Sequence, residues 1–372
     1  MSDARPAPDI EAPNGTLDTP GRRLLAELVS IPSPSGEEAP AASHLRSFFE
    51  RNGRDAVLDA AGNVRAPADD SVLLTSHIDT VPGDLPVSVV EGDAALGADG
   101  PVLHGRGSVD ATGSLAAMAV AAIETGVSFA GVVAEETDSA GARYLLADRS
   151  APEAVVNGEP SGWNALTLGY RGLVSGRYTV ESRAAHGARP EPNAIDHVTA
   201  WWERVREEVD GSDAETEPDG DEAGIFGTIT ARATEITGGL AADGESVEAT
   251  LDVQFRVPPD ESPLSVQESV ETCLTHGSLT WSDAVPPHVA DPRRSPAAAL
   301  RSGIRGAGGE PTHLHKTGTA DANLFADGWD VPVVSYGPGD SALDHAPDER
   351  LPLAEFDRAV AVLRTACEQL AN

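Results

Sequence analysis

The sequence predicts an α/β protein with a mostly parallel sheet and a smaller α+β domain inserted into it. Its length of 372 residues exceeds one typical domain and suits two. Short apolar runs typical of buried strands alternate with helical stretches before residue 170 and again near the end of the chain. Between these parts the pattern becomes strand, helix, strand, strand, helix and strand. We therefore expect a discontinuous larger domain at residues 1–170 and 283–372, and an inserted domain at residues 171–282.

The composition disfavours membrane and nucleic-acid partners. Hydrophobic residues make up 40% of the chain, but no apolar run approaches the ~20 residues that cross a membrane. Met1 to Pro20 lacks the apolar segment of a signal peptide, so a cytoplasmic location is expected. The formal net charge of −34 disfavours nucleic acid, because phosphate binding needs a basic surface.

The acidic excess also suggests the source of the protein. A carboxylate-rich surface keeps a protein hydrated where high salt screens charge repulsion, so we infer a halophilic source. An acidic protein from a GC-biased genome is the alternative. The acidic run Asp210 to Glu222 is expected to be a solvated loop. Cys273 and Cys367 are expected to be reduced core thiols, neither a disulfide framework nor a zinc site.

The first part of the chain is predicted to form two helices and four strands, at residues 22–29 and 37–52 and at residues 57–66, 71–76, 129–134 and 154–157. Polar residues follow buried runs at four places: His77, Asp110, Glu135 with Glu136, and Glu159. The carboxyl ends of parallel strands meet at one edge of a sheet, so these side chains should lie together. Imidazole and carboxylate ligands suit zinc, cobalt or manganese, and the set points to a two-metal hydrolase.

Asp110 follows a glycine-rich turn, His104 to Gly107, and precedes an apolar run, Leu115 to Ile123, that indicates a buried helix. A carboxylate among small residues can be approached at both oxygens and can bridge two metal ions. Taken alone, the same pattern also fits a helix N-cap or a phosphate-binding loop.

Two other pairs have similar alternatives. His77 and Asp79 lie two apart, so Asp79 can orient an imidazole ligand, or both can simply be polar residues at a strand end. Adjacent Glu135 and Glu136 point in opposite directions, so one can bind metal while the other faces the attacking water. A solvated acidic turn is the alternative reading of that pair.

The rest of the chain supplies the inserted domain and the end of the larger one. The inserted domain is predicted from strands at 173–181, 225–237, 248–257 and 279–282 and helices at 193–209 and 264–276. Beyond it we expect helices at 296–306 and 353–370 and a strand at 331–336. A polar turn at 316–323 leads into a further helix.

Seven motifs, in order, resemble the co-catalytic two-metal aminoacylase and carboxypeptidase family, which includes acetylornithine deacetylases and succinyl-diaminopimelate desuccinylases. They are Ile31-Pro-Ser-Pro-Ser-Gly-Glu-Glu38, Ser76-His-Ile-Asp-Thr80, Gly105-Arg-Gly-Ser-Val-Asp110, Ala134-Glu-Glu-Thr137, Gly158-Glu-Pro160, His186-Gly-Ala188 and Asp344-His-Ala-Pro-Asp-Glu349. The resemblance covers nearly the whole chain. It implies a catalytic α/β domain interrupted by a ferredoxin-like lid that dimerises.

The resemblance also implies roles for individual residues. His77, Asp110 and Glu159 would hold one divalent metal, and Asp110, Glu136 and His345 the other. Glu135 would be the general base, Asp79 would orient His77, and His186 of the partner subunit would stabilise the oxyanion. The family usually has a lysine two positions after the bridging aspartate, where this chain has Thr112.

Two further stretches resemble the lysine-biosynthesis branch of this family, whose enzymes release lysine or ornithine from the C-terminal glutamate of a small acidic amino-group carrier protein. These stretches are Lys316 to Leu324 and Val334 to Ser341. The candidate substrate-binding residues are Asn193, Arg256, Lys316, Thr317 and Gly318. A deacylase of free N-acyl amino acids, such as acetylornithine or acetyl-lysine, is the alternative. An inactive scaffold is a third possibility, against which Glu135 argues.

Arg256 and Lys316 are the two cations we expect to bind substrate carboxylates. Arg256 ends a predicted strand and can clamp a carboxylate with its planar fork, although an exposed arginine is the alternative. Lys316 is the single lysine among 26 basic residues, so a compact ammonium is expected to matter there. Pairing with Asp321 is the alternative for Lys316.

Overall fold

The computed structural model describes residues 10–184, 190–209, 222–242 and 244–371. The helices in these ranges are α1 Pro20–Val29, α2 Ala39–Arg51, α3 Thr112–Thr125, α4 Ala140–Asp148, α5 Ala194–Val209, α6 Glu222–Phe226, α7 Pro263–Thr272, α8 Ala297–Gly306, α9 Asp321–Trp329 and α10 Leu353–Leu370. The first eight strands are β1 Val57–Leu58, β2 Val64–Ala66, β3 Asp69–His77, β4 Ser88–Asp93, β5 Ala98–His104, β6 Val127–Val132, β7 Val155–Gly158 and β8 Ala165–Tyr170. The others are β9 Gly172–Arg183, β10 Thr230–Leu240, β11 Ser246–Val257, β12 Ser278–Val285, β13 His288–Val289, β14 Thr312–Lys316, β15 Val333–Ser335 and β16 Arg350–Pro352.

The largest sheet has nine strands in the order β1-β2-β6-β3-β7-β15-β8-β13, with β14 paired to β8. Its four central strands, β6, β3, β7 and β15, run parallel to one another. The flanking strands β2 and β8 join them in antiparallel pairs. The predicted α/β fold is confirmed, and its parallel strands occupy the centre of the sheet. Their apolar side chains are buried on both faces, as expected for a parallel sheet covered by helices.

Helix α3 is the buried helix that the apolar run predicted. Alanine, leucine and methionine fill its interior, and nearly every residue from Thr112 to Ala122 is buried. It packs against α1, α10 and strand β3, and it ends at Gly126, whose φ of 77° suits a residue without Cβ. Because α3 begins two residues after Asp110, the packing of this helix fixes where that carboxylate enters the site.

A small separate sheet, in the order β16-β5-β4, corrects one sequence expectation. We expected Asp110 to follow a strand of the parallel sheet, but β5, the strand before its turn, pairs antiparallel with β4 and β16. The polar residues between Thr80 and His104 gave no strong strand signal. The hairpin therefore became visible only through its pairing with the distant strand β16.

Two predicted strands also differ from the structure. The strand expected at 57–66 is a hairpin of β1 and β2, because the Asp59 carboxylate accepts hydrogen bonds from the amides of Ala61 and Asn63, each at 3.0 Å, and turns the chain. The strand expected at 225–237 begins only at Thr230, after the short helix α6.

The chain separates into two compact units. Unit 1 comprises residues 1–168, 290–314 and 324–372, and unit 2 comprises residues 169–289 and 315–323. In unit 2 the strands and longer helices follow the order β9-α5-β10-β11-α7-β12, with the short helix α6 before β10. The four strands form an antiparallel sheet arranged β10-β11-β9-β12, which is the ferredoxin-like topology. Helix α5 covers this sheet through the buried Trp201, which stacks on Tyr178 with ring centroids 4.3 Å apart. Among the described residues, none of the helices has the length and apolar character needed to span a bilayer.

Candidate metal centre

His77 and Glu159 lie at the ends of neighbouring strands of unit 1. The parallel strands β3 and β7 are in register at Ser76 and Gly158; the next residues are His77, which ends β3, and Glu159, which directly follows β7. The Ser76 hydroxyl donates to the Gly158 carbonyl at 2.9 Å and ties the two strand ends together. His77 and Glu159 are both buried, at 2% and 8% exposure. Register alone therefore brings an imidazole and a carboxylate to one edge of the sheet.

Asp110 lies between two imidazoles. Its Oδ1 is 3.2 Å from Nε2 of His77, and its Oδ2 is 3.1 Å from Nε2 of His345. The same His345 nitrogen is 3.2 Å from Oε1 of Glu136. Ligand atoms of His77, Asp110 and Glu136 all lie within 4.8 Å of one another. A carboxylate that faces a different imidazole with each oxygen is the arrangement expected of a bridging ligand.

The His77 ring is oriented mainly by the backbone of Asp79. Nδ1 donates to the Asp79 carbonyl oxygen at 2.7 Å, whereas the Asp79 carboxylate oxygen Oδ1 lies at 3.6 Å. A proton on Nδ1 directs Nε2 toward Asp110, and outer hydrogen bonds of this kind fix a metal-binding imidazole. The carboxylate of Asp79 accepts the backbone amides of Glu135 and Glu136 instead, each at 3.1 Å.

The charges of the cluster favour a bound cation. Burial and the charge of Asp110 raise the pKa of Glu136. The hydrogen bond that His345 donates to Asp110 raises the pKa of His345 to about 9, against a smaller opposing effect of burial. Burial opposes protonation of His77, but its contacts with Asp110 and Asp79 raise the pKa of that imidazole well above the ordinary value. The surrounding carboxylates therefore favour positive charge at both imidazoles, and divalent cations would supply it.

We call His77, Asp110, Glu136, Glu159 and His345 the ligand cluster. Its mixture of imidazole and carboxylate donors fits zinc-like divalent ions. His345, which has a left-handed φ of 59°, is its most exposed member, with half of its side chain accessible. Glu159 accepts a hydrogen bond at Oε1 from Asn157 at 3.3 Å. Glu135 lies near enough for its charge to raise the pKa of His77, although burial is the largest influence on that imidazole.

Glu349 is a buried acid that the sequence analysis assigned no role. Its Oε1 accepts the backbone amides of Val109 and Asp110, at 2.8 and 3.0 Å. Its Oε2 accepts the Gly107 amide at 3.0 Å and the Arg106 guanidinium at 2.8 Å. The side chain is 1% exposed. Its place in the motif that also contains His345 was the available signal, but the loop it organises lies elsewhere in the sequence.

The turn held by Glu349 needs a glycine at Gly107. Its φ is 80°, and a Cβ there would lie 2.7 Å from the Thr80 methyl carbon and 2.8 Å from the Thr112 hydroxyl. Thr112, in the position where the resembled family has lysine, is buried as the first residue of α3, and its amide donates to the Gly107 carbonyl at 2.9 Å. Glycine is therefore required at position 107, because the side chains of Thr80 and Thr112 already occupy the space that a Cβ would need.

Unit 2 contains a second group of charged residues, Arg171, Arg256 and Lys316, which we call the cationic cluster. Arg171 is 5% exposed, and its Nε donates to the Thr317 carbonyl at 2.9 Å. Its Nη1 donates to the Thr230 hydroxyl at 3.1 Å and also bonds to carbonyls of the 225–228 segment. Burial, and secondarily the charge of Arg256, lower the pKa of Arg171 to about 10. Arg171 was not predicted from the sequence, although Gly169 and Gly172 on either side of it mark the point where the pattern of elements changes.

Lys316, Thr317 and Gly318 lie on the segment that Arg171 contacts, and Arg256 reaches the same segment from β11. Lys316 ends β14 and is half-buried. Arg256, on β11, donates from Nη1 to the Thr319 hydroxyl at 3.3 Å, and burial lowers its pKa. Gly318 is open: a Cβ added there would meet no heavy atom within 4 Å.

Two other predicted site residues have different outcomes. The Asn193 side chain caps helix α5, because its Oδ1 accepts the Ile195 amide at 2.8 Å and the Asp196 amide at 3.2 Å. Its substrate-binding role stays a prediction. His186 lies outside the described residues, as does most of the acidic run 210–222.

Comparison with known proteins adds a family. The model of peptidase family M20/M25/M40 matches residues 73–369. The chain is 41% identical to the LysW-lysine hydrolase of Deinococcus radiodurans over 98% of this chain and 99% of that protein. It is 28% identical to the LysW-lysine/LysW-ornithine hydrolase of Sulfurisphaera tokodaii, over 94% of this chain and 95% of that one.

Solved structures agree on the fold. An M20 family metallo-carboxypeptidase, Sso-CP2 of Sulfolobus solfataricus, superposes with a TM-score of 0.73 at 18% identity, covering 95% of this chain and 99% of that one. A dinuclear metal-binding M20 peptidase from Bacillus subtilis, YxeP, gives a TM-score of 0.65 at 15% identity, covering 94% and 98%. At these identities the likeness concerns the fold alone.

Proposed function

This chain belongs to peptidase family M20/M25/M40, a family of metal-dependent hydrolases, and from that premise we propose that it hydrolyses the amide joining lysine or ornithine to the C-terminal glutamate of a small acidic carrier protein. The observation that carries the substrate assignment is the 41% identity, over nearly the whole of both chains, to a relative named LysW-lysine hydrolase. We identify LysW with the carrier protein expected from the sequence. The product would enter lysine biosynthesis, or arginine biosynthesis when it is ornithine.

The residues that would hold the metals are those of the ligand cluster. We assign His77, Asp110 and Glu159 to one divalent ion and Asp110, Glu136 and His345 to the other. The support is that each oxygen of Asp110 faces a different imidazole, at 3.2 and 3.1 Å. When bound, two such ions polarise the amide carbonyl and make a water more acidic. Zinc or cobalt suits these donors, and manganese is a further candidate.

The chain's own residues would handle the proton. Glu135 and Glu136 are adjacent in the sequence. We assign Glu136 as a metal ligand and Glu135 as the general base. Glu135 would take a proton from the attacking water and give it to the departing amine nitrogen, which leaves as neutral lysine or ornithine amine. Asp79 accepts the backbone amides of both glutamates and so fixes the backbone from which their side chains project. His186 of the partner subunit would donate to the developing oxyanion.

The cationic cluster would recognise carboxylates. The proposed scissile amide is flanked by two of them, one on the carrier's terminal glutamate and one on the released amino acid. Arg256 offers a bidentate fork and Lys316 a compact ammonium. Their partial burial supports this role, since burial strengthens attraction to an anion.

A homodimer would follow from the same family membership, and unit 2 offers a surface for it. Strand β10 is an edge of the unit 2 sheet, and Ile236 and Leu240 on it are 59% and 66% exposed. An open edge with apolar side chains is suited to pairing with another chain. The cytoplasmic location and the halophilic source stay predictions.

A direct comparison of substrates tests the proposal. The purified enzyme, loaded with zinc or cobalt at high salt, is given carrier-linked lysine, carrier-linked ornithine, N-acetyl-lysine and N-acetylornithine at equal concentrations. We expect amino-acid release from the carrier-linked substrates at kcat/KM at least tenfold above the acetylated ones. Equal or faster turnover of the acetyl-amino acids would replace the proposal with a free N-acyl amino acid deacylase.

A further inference from the structure

Four consecutive backbone amides of unit 1 each donate to a side-chain oxygen. They belong to the turn after β6 that presents Glu135 and Glu136. The pairs are Val133 with Asn63 Oδ1 at 3.1 Å, Ala134 with Glu38 Oε1 at 3.2 Å, Glu135 with Asp79 Oδ1 at 3.1 Å and Glu136 with Asp79 Oδ2 at 3.1 Å. The accepting residues come from three separate segments, so the turn is fixed by tertiary contacts.

All three acceptors are buried, with exposures of 7% for Glu38 and 0% for Asn63 and Asp79. Ser35 supports the third of them, because its hydroxyl donates to Asp79 Oδ2 at 2.7 Å. Ser35 and Glu38 both belong to the motif Ile31 to Glu38, which the resemblance singled out and to which no role had been given. We call Ser35, Glu38, Asn63 and Asp79 the amide clamp.

The clamp holds a backbone that would not adopt this shape alone. Ala134 has a left-handed φ of 62°, which costs conformational free energy for a residue with a Cβ. Its amide is held by Glu38, and its carbonyl accepts the Ser139 amide at 2.7 Å. Such conformations persist where the surroundings over-determine them. The left-handed residue reverses the chain immediately before the two glutamates, so its hold decides where both carboxylates point.

We propose that Ser35 and Glu38 are positioning residues for the general base. They act through the backbone of the 133–136 turn, Glu38 directly on the Ala134 amide and Ser35 through Asp79. The proposal rests on the proposed function only in taking Glu135 as the base. Neither residue would touch substrate, so their loss should lower kcat and leave KM nearly unchanged.

The chain offers a matched control for Glu38. Glu37 is the same residue type, one position earlier, and it is exposed. We would compare Glu38→Ala with Glu38→Gln, which retains an acceptor oxygen, and with Glu37→Ala. Ser35→Ala is a milder second variant, because Asp79 keeps its other hydrogen bonds.

Kinetics on carrier-linked lysine provide the first measurement. We expect Glu38→Ala to lower kcat ~10–100-fold, the usual effect of removing an outer partner of a metal site, with KM changed less than threefold. Glu38→Gln should recover most of kcat, Ser35→Ala should lose ~3–10-fold on the same grounds, and Glu37→Ala should match the parent. A Glu38→Ala enzyme with parental kcat would overturn the positioning role, as would a loss that Glu38→Gln does not restore.

Hydrogen exchange of the metal-free protein gives a readout that needs no substrate. With metal removed by chelator, peptides covering residues 133–136 should exchange faster in Glu38→Ala than in Glu37→Ala, while peptides from α3 and α10 stay protected. If residues 133–136 of Glu38→Ala were as protected from exchange as in the parent, the amide clamp would be disproved, whatever the activity of the variant. If the parent hydrolysed no carrier-linked substrate, the proposed function would fail, and this exchange experiment would still decide the clamp.

Discussion

The ligand cluster of unit 1 and the cationic cluster of unit 2 are built with opposite chemistry. In unit 1, buried carboxylates such as Glu349 and Asp79 accept hydrogen bonds from backbone amides. In unit 2, the buried guanidinium of Arg171 donates to backbone carbonyls. Carboxylates therefore fix the loops around the ligand cluster, and a guanidinium fixes those around the cationic cluster.

This difference has an energetic consequence. Like charges held together out of water repel one another and lose hydration. Burial and Asp110 raise the pKa of Glu136, and burial and Arg256 lower the pKa of Arg171 to about 10. Each cluster would thus favour a ligand of the opposite sign, and we propose metal cations in unit 1 and carboxylates in unit 2. Variants that affect one ligand but spare the other would test this division.

The largest effect is expected for Asp110→Ala. Because Asp110 is the ligand assigned to both ions, its removal should take metal content from two equivalents to none after dialysis and abolish turnover. Plasma emission spectrometry of the dialysed protein measures this. Asp99→Ala, at an exposed position on β5, is the control. Two equivalents retained by Asp110→Ala would disprove the bridge.

Glu135→Gln should separate chemistry from metal binding. The glutamine side chain has the same shape as glutamate but cannot accept the proton from water. We therefore expect kcat to fall ~10²–10⁴-fold while both metals remain bound. Single-turnover kinetics with metal analysis on the same sample check this. Turnover within tenfold of the parent would show that another group acts as base.

Glu349→Gln should weaken metal binding without touching a ligand directly. One oxygen and the negative charge disappear, so the three amides and the Arg106 guanidinium can no longer all be satisfied. We expect metal affinity to fall ~10–100-fold. Titration calorimetry measures the change, and carboxylate recognition by unit 2 should stay intact, seen as an unchanged KM in excess metal. Parental affinity would confine Glu349 to a purely structural role.

Lys316→Met and Arg256→Lys should weaken carboxylate recognition by the cationic cluster of unit 2. Deleting the ammonium while keeping its stem should cost ~1.5–3 kcal/mol in kcat/KM, the scale of a hydrogen bond to a charged group. Arg256→Lys should mainly raise KM, since a point charge cannot replace a bidentate fork. Metal content should not change. Equal losses for Lys316→Met on carrier-linked lysine and on acetyl-lysine would remove the argument that Lys316 recognises the carrier.

The smallest effect concerns pH. His345 has a pKa raised to about 9 in the folded metal-free protein, above its ordinary value of ~6.5. Its stabilising contribution should be fully present below pH ~6.5 and disappear as pH rises through about 9. The melting temperature of the parent minus that of His345→Gln, both in chelator, should therefore shrink over this interval. A difference that stays constant from pH 6 to 10 would contradict the assignment.

The sequence by itself determined the α/β class and pointed to the residues that we propose as metal ligands. Buried strands are short apolar runs, and a polar residue directly after one is a local signal that needs no knowledge of the fold. His77 and Glu159 were predicted in this way, and the register of β3 and β7 places them at one edge of the sheet. Helix α3 was equally visible, because its apolar residues are continuous in sequence.

Only the tertiary structure decided how those residues are held. Glu349 accepts the amide of Asp110 across 239 residues of sequence, and Glu38 accepts that of Ala134 across 96. A buried acid leaves no periodic pattern, and its partner depends on how two distant loops meet. The hairpin of β4 and β5 escaped prediction for the same reason, since pairing with β16 completes its sheet. Local propensity specifies the elements, but burial and hydrogen bonding between distant segments fix the loops that carry the proposed catalytic side chains.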